Sequence, residues 1–280
     1  MTERRGRVRV PDLLEMKRHG QKITMLTAYD ATMARLLDSA GIDVLLVGDS
    51  LGMVVLGEDT TVGVTLDMVV HHSRAVANGT TRALVVADMP FLTYQASVAE
   101  AVRNARRLLQ DGGATAVKIE GGVAVARTIR RLTDVGVPVM AHIGLVPQSV
   151  NKLGGFRPVG KTREEADQLL LDARAVEAAG AFALVLESIP AELAARITHE
   201  SGVPTIGIGA GPDCDGQVLV SYDALGFFEA FIPRFVKRYA ELGEAVKEAA
   251  RSYIAEVRNG AFPAPEHSIS KPAGLTSKSR

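Results

Sequence analysis

The chain has 280 residues, of which 47% are apolar, enough for one large hydrophobic core. Its 32 basic and 32 acidic side chains balance, which argues against a surface built for nucleic acid or acidic lipid. No apolar run is long enough to cross a membrane, and the single cysteine, Cys214, excludes an internal disulfide. The basic segment around Arg4, Arg5 and Arg7 lacks the apolar core of a secretory signal, so we expect a cytoplasmic protein.

The first part of the chain predicts a short helix followed by a strand and a second helix. Apolar residues at helical spacing favour a helix over residues 10–19. Residues 23–29 are typical of a first strand, with Tyr29 at its end. A helix over 31–40 then ends at Gly41, a residue that often follows the last helical turn.

The next stretch shows the design that recurs along the chain. Val44–Val47 is apolar without a break, which is typical of a parallel strand buried on both faces. Asp49 and Ser50 follow directly after it. Four later apolar runs likewise end in a charged or titratable residue: 84–88, 116–120, 139–142 and 183–187. Polar groups gathered at strand ends are typical of the active-site rim of an α/β enzyme.

A repeated joint between helix and strand indicates repeated βα units. Glycine stands just before the strand at five such joints: Gly41, Gly113, Gly136, Gly180 and Gly202. Predicted strand ends fall near residues 29, 49, 88, 120, 142, 187, 209 and 222, which makes eight units. Eight parallel units close into a barrel. The predicted fold class is therefore α/β, a (β/α)8 TIM barrel with a short N-terminal helix and a C-terminal helical extension.

The helices and loops between these strands carry their own signals. Capping boxes at 97–100 and 162–165 predict two helix starts. The long connections 50–65 and 143–161 leave the acidic rim and are candidate lids. No domain boundary is apparent, so residues 1–280 form one predicted domain, with a flexible tail over 261–280 that is rich in Pro, Ser and Lys.

Four carboxylates end predicted strands and should converge at one barrel mouth: Asp49, Asp88, Glu120 and Glu187. Several unpaired carboxylates so close would repel, and a hard divalent cation such as Mg²⁺ would relieve that repulsion. Lys118 lies two residues before Glu120 and so shares its face of the strand, where it could bind a substrate carboxylate. Each charge alone is more simply a solvated strand end or a structural ion pair; the set at one rim favours a function.

Other candidates carry weaker signals. His142 ends a strand and is equally consistent with substrate binding and with a satisfied buried group. His71 and His72 lie in a predicted helix, where a structural role is favoured. The glycine run at 207–211 lacks the spacing of a dinucleotide fingerprint, so its phosphate signal is weak. Cys214 has no evident base partner, which argues against a nucleophile.

Taken in order, five sequence blocks within roughly residues 10–265 resemble the ketopantoate hydroxymethyltransferase family. The blocks are Val-Gly-Asp-Ser-Leu-Gly at 47–52, Ala-Asp-Met-Pro-Phe at 87–91, Val-Lys-Ile-Glu-Gly-Gly at 117–122, Ala-His-Ile-Gly-Leu-Val-Pro-Gln-Ser at 141–149 and Gly-Ile-Gly-Ala-Gly at 207–211. The resemblance implies a (β/α)8 barrel that assembles into a homodecamer. It also implies a cytoplasmic transferase of pantothenate biosynthesis that moves a one-carbon unit from 5,10-methylenetetrahydrofolate to 3-methyl-2-oxobutanoate.

The resemblance also implies roles for individual residues. One Mg²⁺ per subunit would be held at Asp49, Asp88 and Glu120. The 2-oxo acid would contact Asp49, Ser50, Asp88 and Lys118, and Glu187 would act as the catalytic base. His142 and Tyr29 are possible accessory residues.

Two alternatives stay open from the sequence. One is another Mg²⁺-dependent barrel enzyme acting on 2-oxo acids, of the isocitrate lyase or phosphoenolpyruvate mutase type. Lyases of that type use a cysteine-bearing loop as the acid, and Cys214 has the wrong surroundings for it. The other alternative is a barrel without catalytic activity that serves as an oligomeric binding or scaffold protein. Neither nucleic acid nor a membrane is an expected partner.

Overall fold

The computed structural model describes residues 6–228 and 233–269, and its centre is a closed barrel of eight parallel strands. Neighbouring strands pair in sequence order, and β8 pairs with β1 to close the barrel. The strands are β1 Ile23–Thr27, β2 Val44–Val47, β3 Leu84–Asp88, β4 Ala116–Glu120, β5 Val139–Gly144, β6 Ala183–Glu187, β7 Thr205–Ile208 and β8 Gly216–Leu219. The predicted (β/α)8 TIM barrel is confirmed.

Helices surround this barrel. Those in the described residues are α1 Val10–Arg18, α2 Ala31–Ser39, α3 Leu51–Val54, α4 Leu66–Gly79, α5 Val98–Arg106, α6 Ala126–Asp134, α7 Val150–Leu153, α8 Arg163–Ala178, α9 Ala191–Glu200, α10 Ser221–Ala224 and α11 Leu242–Asn259. A π-helical turn, Arg107–Asp111, continues α5. No helix within 6–228 or 233–269 combines the length and the apolar character needed to cross a membrane.

The barrel interior is apolar at its base and charged at its top. Side chains from alternate strand positions, such as Met25 and Val86, fill the base in one hydrophobic cluster. Leu13 and Met16 of α1 belong to the same cluster and are almost fully buried, so α1 closes the N-terminal end of the barrel. Because strand side chains alternate, the next inward position of β3 after Val86 is Asp88. The charged layer thus continues the inward-facing set of the core.

Two of the eight predicted βα units lack a full-length helix after their strand. The connection from β7 to β8 spans residues 209–215 and contains no helix, since it is short and includes glycine and proline. After β8, the helix α10 has four residues, and α11 has no buried residue. Predicted and observed strand ends differ by two or three residues at β1, β2, β5 and β8.

Of the two predicted capping boxes, one forms completely and the other in part. The capping box at Thr162 forms in both directions with Glu165. At Ser97 the side chain accepts from Glu100 N, while no return bond from the glutamate side chain forms. Residues 261–269 of the predicted tail are mostly exposed and include one short 3₁₀ turn; residues 270–280 lie outside the described part of the chain.

Candidate active site

The predicted rim residues come together at the C-terminal end of the barrel, around one cavity of about 430 Å³. The cavity lining includes Asp49, Ser50, Asp88, Lys118, Glu120, His142 and Glu187. Strand register explains the grouping, because Asp88 is paired with Lys118 and Glu120 with His142 on neighbouring strands. Residues so paired present adjacent side chains on the same inner surface.

Lys118 lies at the centre of the charged layer. Its Nζ is 2.8 Å from Asp88 Oδ1 and 3.6 Å from Glu120 Oε1, and its side chain is 5% exposed. Burial alone would lower the pKa of Lys118, but Asp88, Glu120 and Asp49 outweigh it and raise that pKa. The ammonium is therefore charged at any physiological pH, and it compensates part of the negative charge around it.

Asp49 lies just beyond β2, where its backbone N–H donates to Asp88 Oδ2 at 2.9 Å. Burial, followed by the charges of Asp88 and Glu120, raises the pKa of Asp49 well above its usual range. Burial also raises the pKa of Asp88, with Lys118 opposing the shift. Two neighbouring carboxyl groups thus resist full ionisation unless further positive charge arrives.

Glu120 is the most strongly compensated carboxylate of the layer. Burial acts to raise its pKa, but Lys118 and His142 outweigh burial and lower it. Its Oε2 accepts the backbone N–H of Gln148 at 3.0 Å, while Oε1 faces Lys118 and His142. The Glu120 carboxylate is therefore ionised and fixed in orientation.

His142 connects this layer to Glu187. Its Nδ1 lies 3.4 Å from Glu120 Oε1 and 3.2 Å from Lys118 Nζ, and its Nε2 lies 3.2 Å from Glu187 Oε2. Burial and Lys118 lower the pKa of His142, but Glu120 and Glu187 prevail and raise it to about 9. A carboxylate within 3.4 Å of each ring nitrogen favours the charged imidazolium form.

Glu187 is the most solvent-accessible acid of the group, with a side chain 16% exposed at the end of β6. The next residue, Ser188, has φ 50°, a left-handed conformation that is costly for a residue other than glycine. On the neighbouring strand β5, Gly144 has φ 99°, and a Cβ there would clash with Glu187 O. The backbone around Glu187 is thus tightly constrained, which holds its side chain at the cavity wall.

Ser50 and Tyr29 form a second, neutral contact. Tyr29 Oη and Ser50 Oγ are 2.9 Å apart, and Tyr29 is 2% exposed. Burial raises the pKa of Tyr29, so its hydroxyl remains protonated. His72 Nδ1 lies 2.6 Å from the backbone oxygen of Tyr29, which supports the structural role expected for a histidine in α4.

Two residues of the site were missed from sequence, Gln148 and Tyr94. Gln148 Nε2 donates to Asp49 Oδ2 and to Met89 O, both at 2.9 Å, and Tyr94 Oη donates to Gln148 Oε1 at 2.8 Å. Both residues lie outside the strands, on loops after β3 and β5, and both are buried. A polar residue inside the resembling block 141–149 was the one available signal for Gln148.

Asp49, Asp88 and Glu120, the predicted metal ligands, share one pattern of hydrogen bonds. Asp49 Oδ2, Asp88 Oδ2 and Glu120 Oε2 each accept a hydrogen bond from protein N–H groups. Asp88 Oδ1 and Glu120 Oε1 are buried and have no hydrogen bond, although both face Lys118. In each of these three carboxylates, one oxygen accepts a hydrogen bond from an N–H group.

The donor set at this end fits a hard divalent cation. Four carboxylates face two cationic side chains, so negative charge is in excess. In the described residues, no set of three or more His, Cys, Asp or Glu side chains is arranged to bind a metal by itself. Mg²⁺ in proteins commonly uses one or two carboxylates and completes its shell with water and substrate oxygens. Asp49 and Asp88 fit that role, while Glu120, engaged by Lys118 and His142, stays a predicted ligand.

Both long connections contribute to the cavity. Met53, Val54 and Thr61 line it from the connection after β2, and 156–158 line it from the connection after β5. Their positions are consistent with the predicted lids. Their movement stays a prediction.

The remaining candidates lie apart from this chemistry. Cys214 is fully buried, and burial raises the pKa of its thiol, which agrees with the absence of a nucleophilic role. In the glycine run, Gly209 has φ 60°, and a Cβ there would meet the Phe235 ring at 2.7 Å. Turning and close packing therefore account for a glycine at this position without any phosphate.

Comparison with known proteins gives the family. Residues 7–265 match the family described as ketopantoate hydroxymethyltransferase. A relative from Pelobacter propionicus named 3-methyl-2-oxobutanoate hydroxymethyltransferase is 55% identical, over 96% of this chain and 100% of its own. A relative of the same name from Moorella thermoacetica is 57% identical, over 95% of this chain and 98% of its own.

Solved structures share the fold at low identity. Phosphonopyruvate hydrolase in complex with oxalate and Mg²⁺ has a TM-score of 0.60 at 14% identity, covering 92% of both chains. Phosphoenolpyruvate phosphomutase from Streptomyces platensis subsp. rosaceus has a TM-score of 0.61 at 16% identity, covering 94% of this chain and 92% of its own. These likenesses support the barrel, whereas the high identities above decide the family. The chain is an enzyme, a transferase, and belongs to the ketopantoate hydroxymethyltransferase family.

Proposed function

We propose that this enzyme transfers a one-carbon unit from 5,10-methylenetetrahydrofolate to 3-methyl-2-oxobutanoate, giving 2-dehydropantoate (ketopantoate) for pantothenate synthesis. The observation that carries the proposal is the convergence of Asp49, Asp88, Lys118 and Glu187 on one cavity in a member of this family. Asp49 and Asp88 are the residues that would hold Mg²⁺, with Glu120 beside them. A bound Mg²⁺ would supply Lewis-acid polarisation of the 2-oxo group.

Lys118, Glu187 and His142 have separate roles in the proposed reaction. Lys118 has three N–H donors, and its charge and central position suit it to bind the substrate carboxylate. Glu187 stands apart from the metal-side carboxylates and is more accessible, so it is suited to take the proton from C3. The imidazolium of His142 keeps Glu187 oriented by charge attraction, since its Nε2 lies 3.2 Å from Glu187 Oε2.

Two bonds change at C3 of the oxo acid. The C3–H bond breaks and its proton goes to Glu187, while its electron pair forms a carbon–carbon bond to the methylene carbon of the folate. Both C–N bonds from the folate to that carbon break. Water supplies the oxygen of the product hydroxyl, and its two hydrogens go to N5 and N10 of the departing tetrahydrofolate. Glu187 returns its proton to the hydroxyl oxygen. Closure of the connections 50–65 and 143–161 would exclude bulk water from the carbanionic intermediate.

A product assay tests the proposal directly. The enzyme is incubated with 3-methyl-2-oxobutanoate, 5,10-methylenetetrahydrofolate and Mg²⁺, and ketopantoate is measured with each component omitted in turn. We expect product only in the complete mixture. Turnover of the oxo acid without folate would point instead to chemistry of the phosphoenolpyruvate mutase type, and no turnover to a binding protein.

The base is tested without folate. In D₂O with Mg²⁺, the wild type should exchange the C3 hydrogen of the oxo acid for deuterium, as followed by NMR. Glu187→Gln should slow that exchange by about 10²-fold or more, the usual contribution of a positioned base. Glu192→Gln, an exposed glutamate of α9, is the matched control. Wild-type exchange in Glu187→Gln would transfer the role to His142.

We also propose a homo-oligomer, with the decamer carried over from the family resemblance. The exposed apolar side chains of α11, among them Tyr253 at 57% and Val246 at 56%, support self-association. Analytical ultracentrifugation of the wild type tests the assembly. The decamer and the cytoplasmic location stay predictions.

A further inference from the structure

The cavity extends well beyond the charged layer, and its other side has a different chemistry. Ile208, Val218 and Val220 line it from the last two strands and the residue after them, and Phe228 and Phe235 line it beyond β8. The oxo acid is small, and a cavity of about 430 Å³ leaves space for a flat ring system. Apolar and aromatic walls favour such a ring.

One carboxylate interrupts these apolar walls. Asp223 of α10 lines the cavity, and within the described residues no hydrogen bond reaches its side chain. Burial raises the pKa of Asp223 to about 6, with Arg238 opposing the shift. Arg238 itself is bound to Phe228 O and Glu241, at 2.8 and 3.0 Å. A poorly solvated carboxylate without a donor is costly, and a ligand that offers N–H groups would remove that cost.

Two arginines also line the cavity. Arg157 and Arg234 line it from two different loops, and both are exposed. In the described parts of the chain, neither guanidinium forms an ion pair with a carboxylate. Exposed guanidinium groups at a cavity are suited to bind a carboxylate-bearing tail.

We propose that this side of the cavity is the folate subsite, in which Asp223 accepts the N–H groups of the pterin ring while Arg157 and Arg234 bind the glutamate tail. The inference builds on the proposed function. The pterin edge presents an amino group beside a ring N–H, two parallel donors that match the two oxygens of a carboxylate. The apolar walls contact the faces of the ring.

The test uses Asp223→Asn, which keeps the shape of the side chain and replaces one acceptor oxygen by a donor. We expect its KM for methylenetetrahydrofolate, and its Kd for tetrahydrofolate by calorimetry, to rise by about tenfold to a hundredfold. Exchange of the C3 hydrogen in D₂O without folate should keep its wild-type rate. Asp213→Asn, an exposed aspartate in the connection from β7 to β8 that does not line the cavity, is the control and should change neither quantity.

A second pair of variants tests the tail contacts. Arg157→Ala and Arg234→Ala should weaken tetrahydrofolate binding but leave unchanged the binding of a tetrahydropterin that lacks the glutamate tail. An unchanged folate affinity in Asp223→Asn overturns the pterin contact, and a loss of deuterium exchange there assigns Asp223 to the oxo acid instead. Unchanged tetrahydrofolate binding in both arginine variants overturns the tail contacts. Absence of exchange in the wild type would reject the proposed function and not this subsite.

Discussion

Gln148 offers the sharpest test of how the charged layer is held. Its side chain donates to Asp49 Oδ2 and Met89 O and accepts from Tyr94 Oη, so the amide has one allowed orientation. Gln148→Leu keeps the size of the side chain and removes these three bonds, together with the longer bond that Gln148 Oε1 accepts from Gln95 Nε2. The backbone bond from residue 148 to Glu120 Oε2 does not depend on the side chain and should remain.

The expected loss follows from those contacts. The bond to the Asp49 carboxylate contributes about 1.5–3 kcal/mol, and the Met89 carbonyl left without this partner costs about 1 kcal/mol more. Tyr94 loses little, because its hydroxyl can donate to Glu120 O, which already lies 3.0 Å away. We therefore expect Gln148→Leu to lower the free energy of unfolding by about 3 kcal/mol. Asp49 also loses its fixed orientation, so Mg²⁺ affinity should fall by about tenfold or more.

Urea denaturation and calorimetric Mg²⁺ titration measure the two effects. Gln95→Leu is the matched control, because Gln95 Nε2 donates to the same Gln148 oxygen at 3.3 Å from an exposed position. The control should lose less than about 1 kcal/mol. If both variants behave alike in stability and in Mg²⁺ affinity, Gln148 does not organise the charged layer.

Three further predictions concern single charges. Asp49→Ala should abolish Mg²⁺ affinity in calorimetry while the fold survives, because repulsion from Asp88 falls; unchanged affinity would reject the metal assignment. Lys118→Met should weaken oxo acid binding by about 1.5–3 kcal/mol; a lower melting temperature with unchanged KM would make Lys118 purely structural. Asp38→Asn should lower the free energy of unfolding by about 2 kcal/mol at pH 7. Burial acts to raise the pKa of Asp38, but hydrogen bonds from Ala83, Thr81 and Arg82 outweigh burial and lower that pKa. The stability that Asp38 contributes is present above pH about 4 and is lost as the pH falls through its lowered folded-state pKa. In urea titrations, the difference in unfolding free energy between wild type and Asp38→Asn should therefore narrow in acid. A difference that stays constant would contradict these hydrogen bonds.

The barrel was predictable because the strands are apolar along their whole length and change character abruptly at one end. Asp88, Glu120 and Glu187 stand at the ends of their strands as expected. Tyr29 and Asp49 were predicted to end β1 and β2, but each lies two residues beyond the last residue of its strand. The strand ladder ends before both residues, and Asp49 already lies in a turn; the apolar pattern alone does not carry this distinction.

The loops were less predictable for a physical reason. Gln148 and Tyr94 meet across 54 positions of sequence, and their contact depends on how two irregular connections fold over the barrel. His142 could be read as a structural or a functional residue, because its type and position say nothing of the acids at its two ring nitrogens. The helix missing between β7 and β8 reflects a connection too short to hold one. Periodicity predicts elements, whereas contacts between loops require the folded chain.

Closure of the barrel has a consequence for how the chain folds. Strand β1 pairs with β8, and Lys17 of the closing helix α1 binds Asp215 at 2.7 Å, across 198 positions of sequence. One edge of β1 therefore stays unpaired until β8 has been synthesised and pairs with it. During synthesis, the early strands expose an open apolar edge until the region near residue 219 has left the ribosome. Truncations that remove β8 should consequently yield aggregating chains and not smaller folded domains.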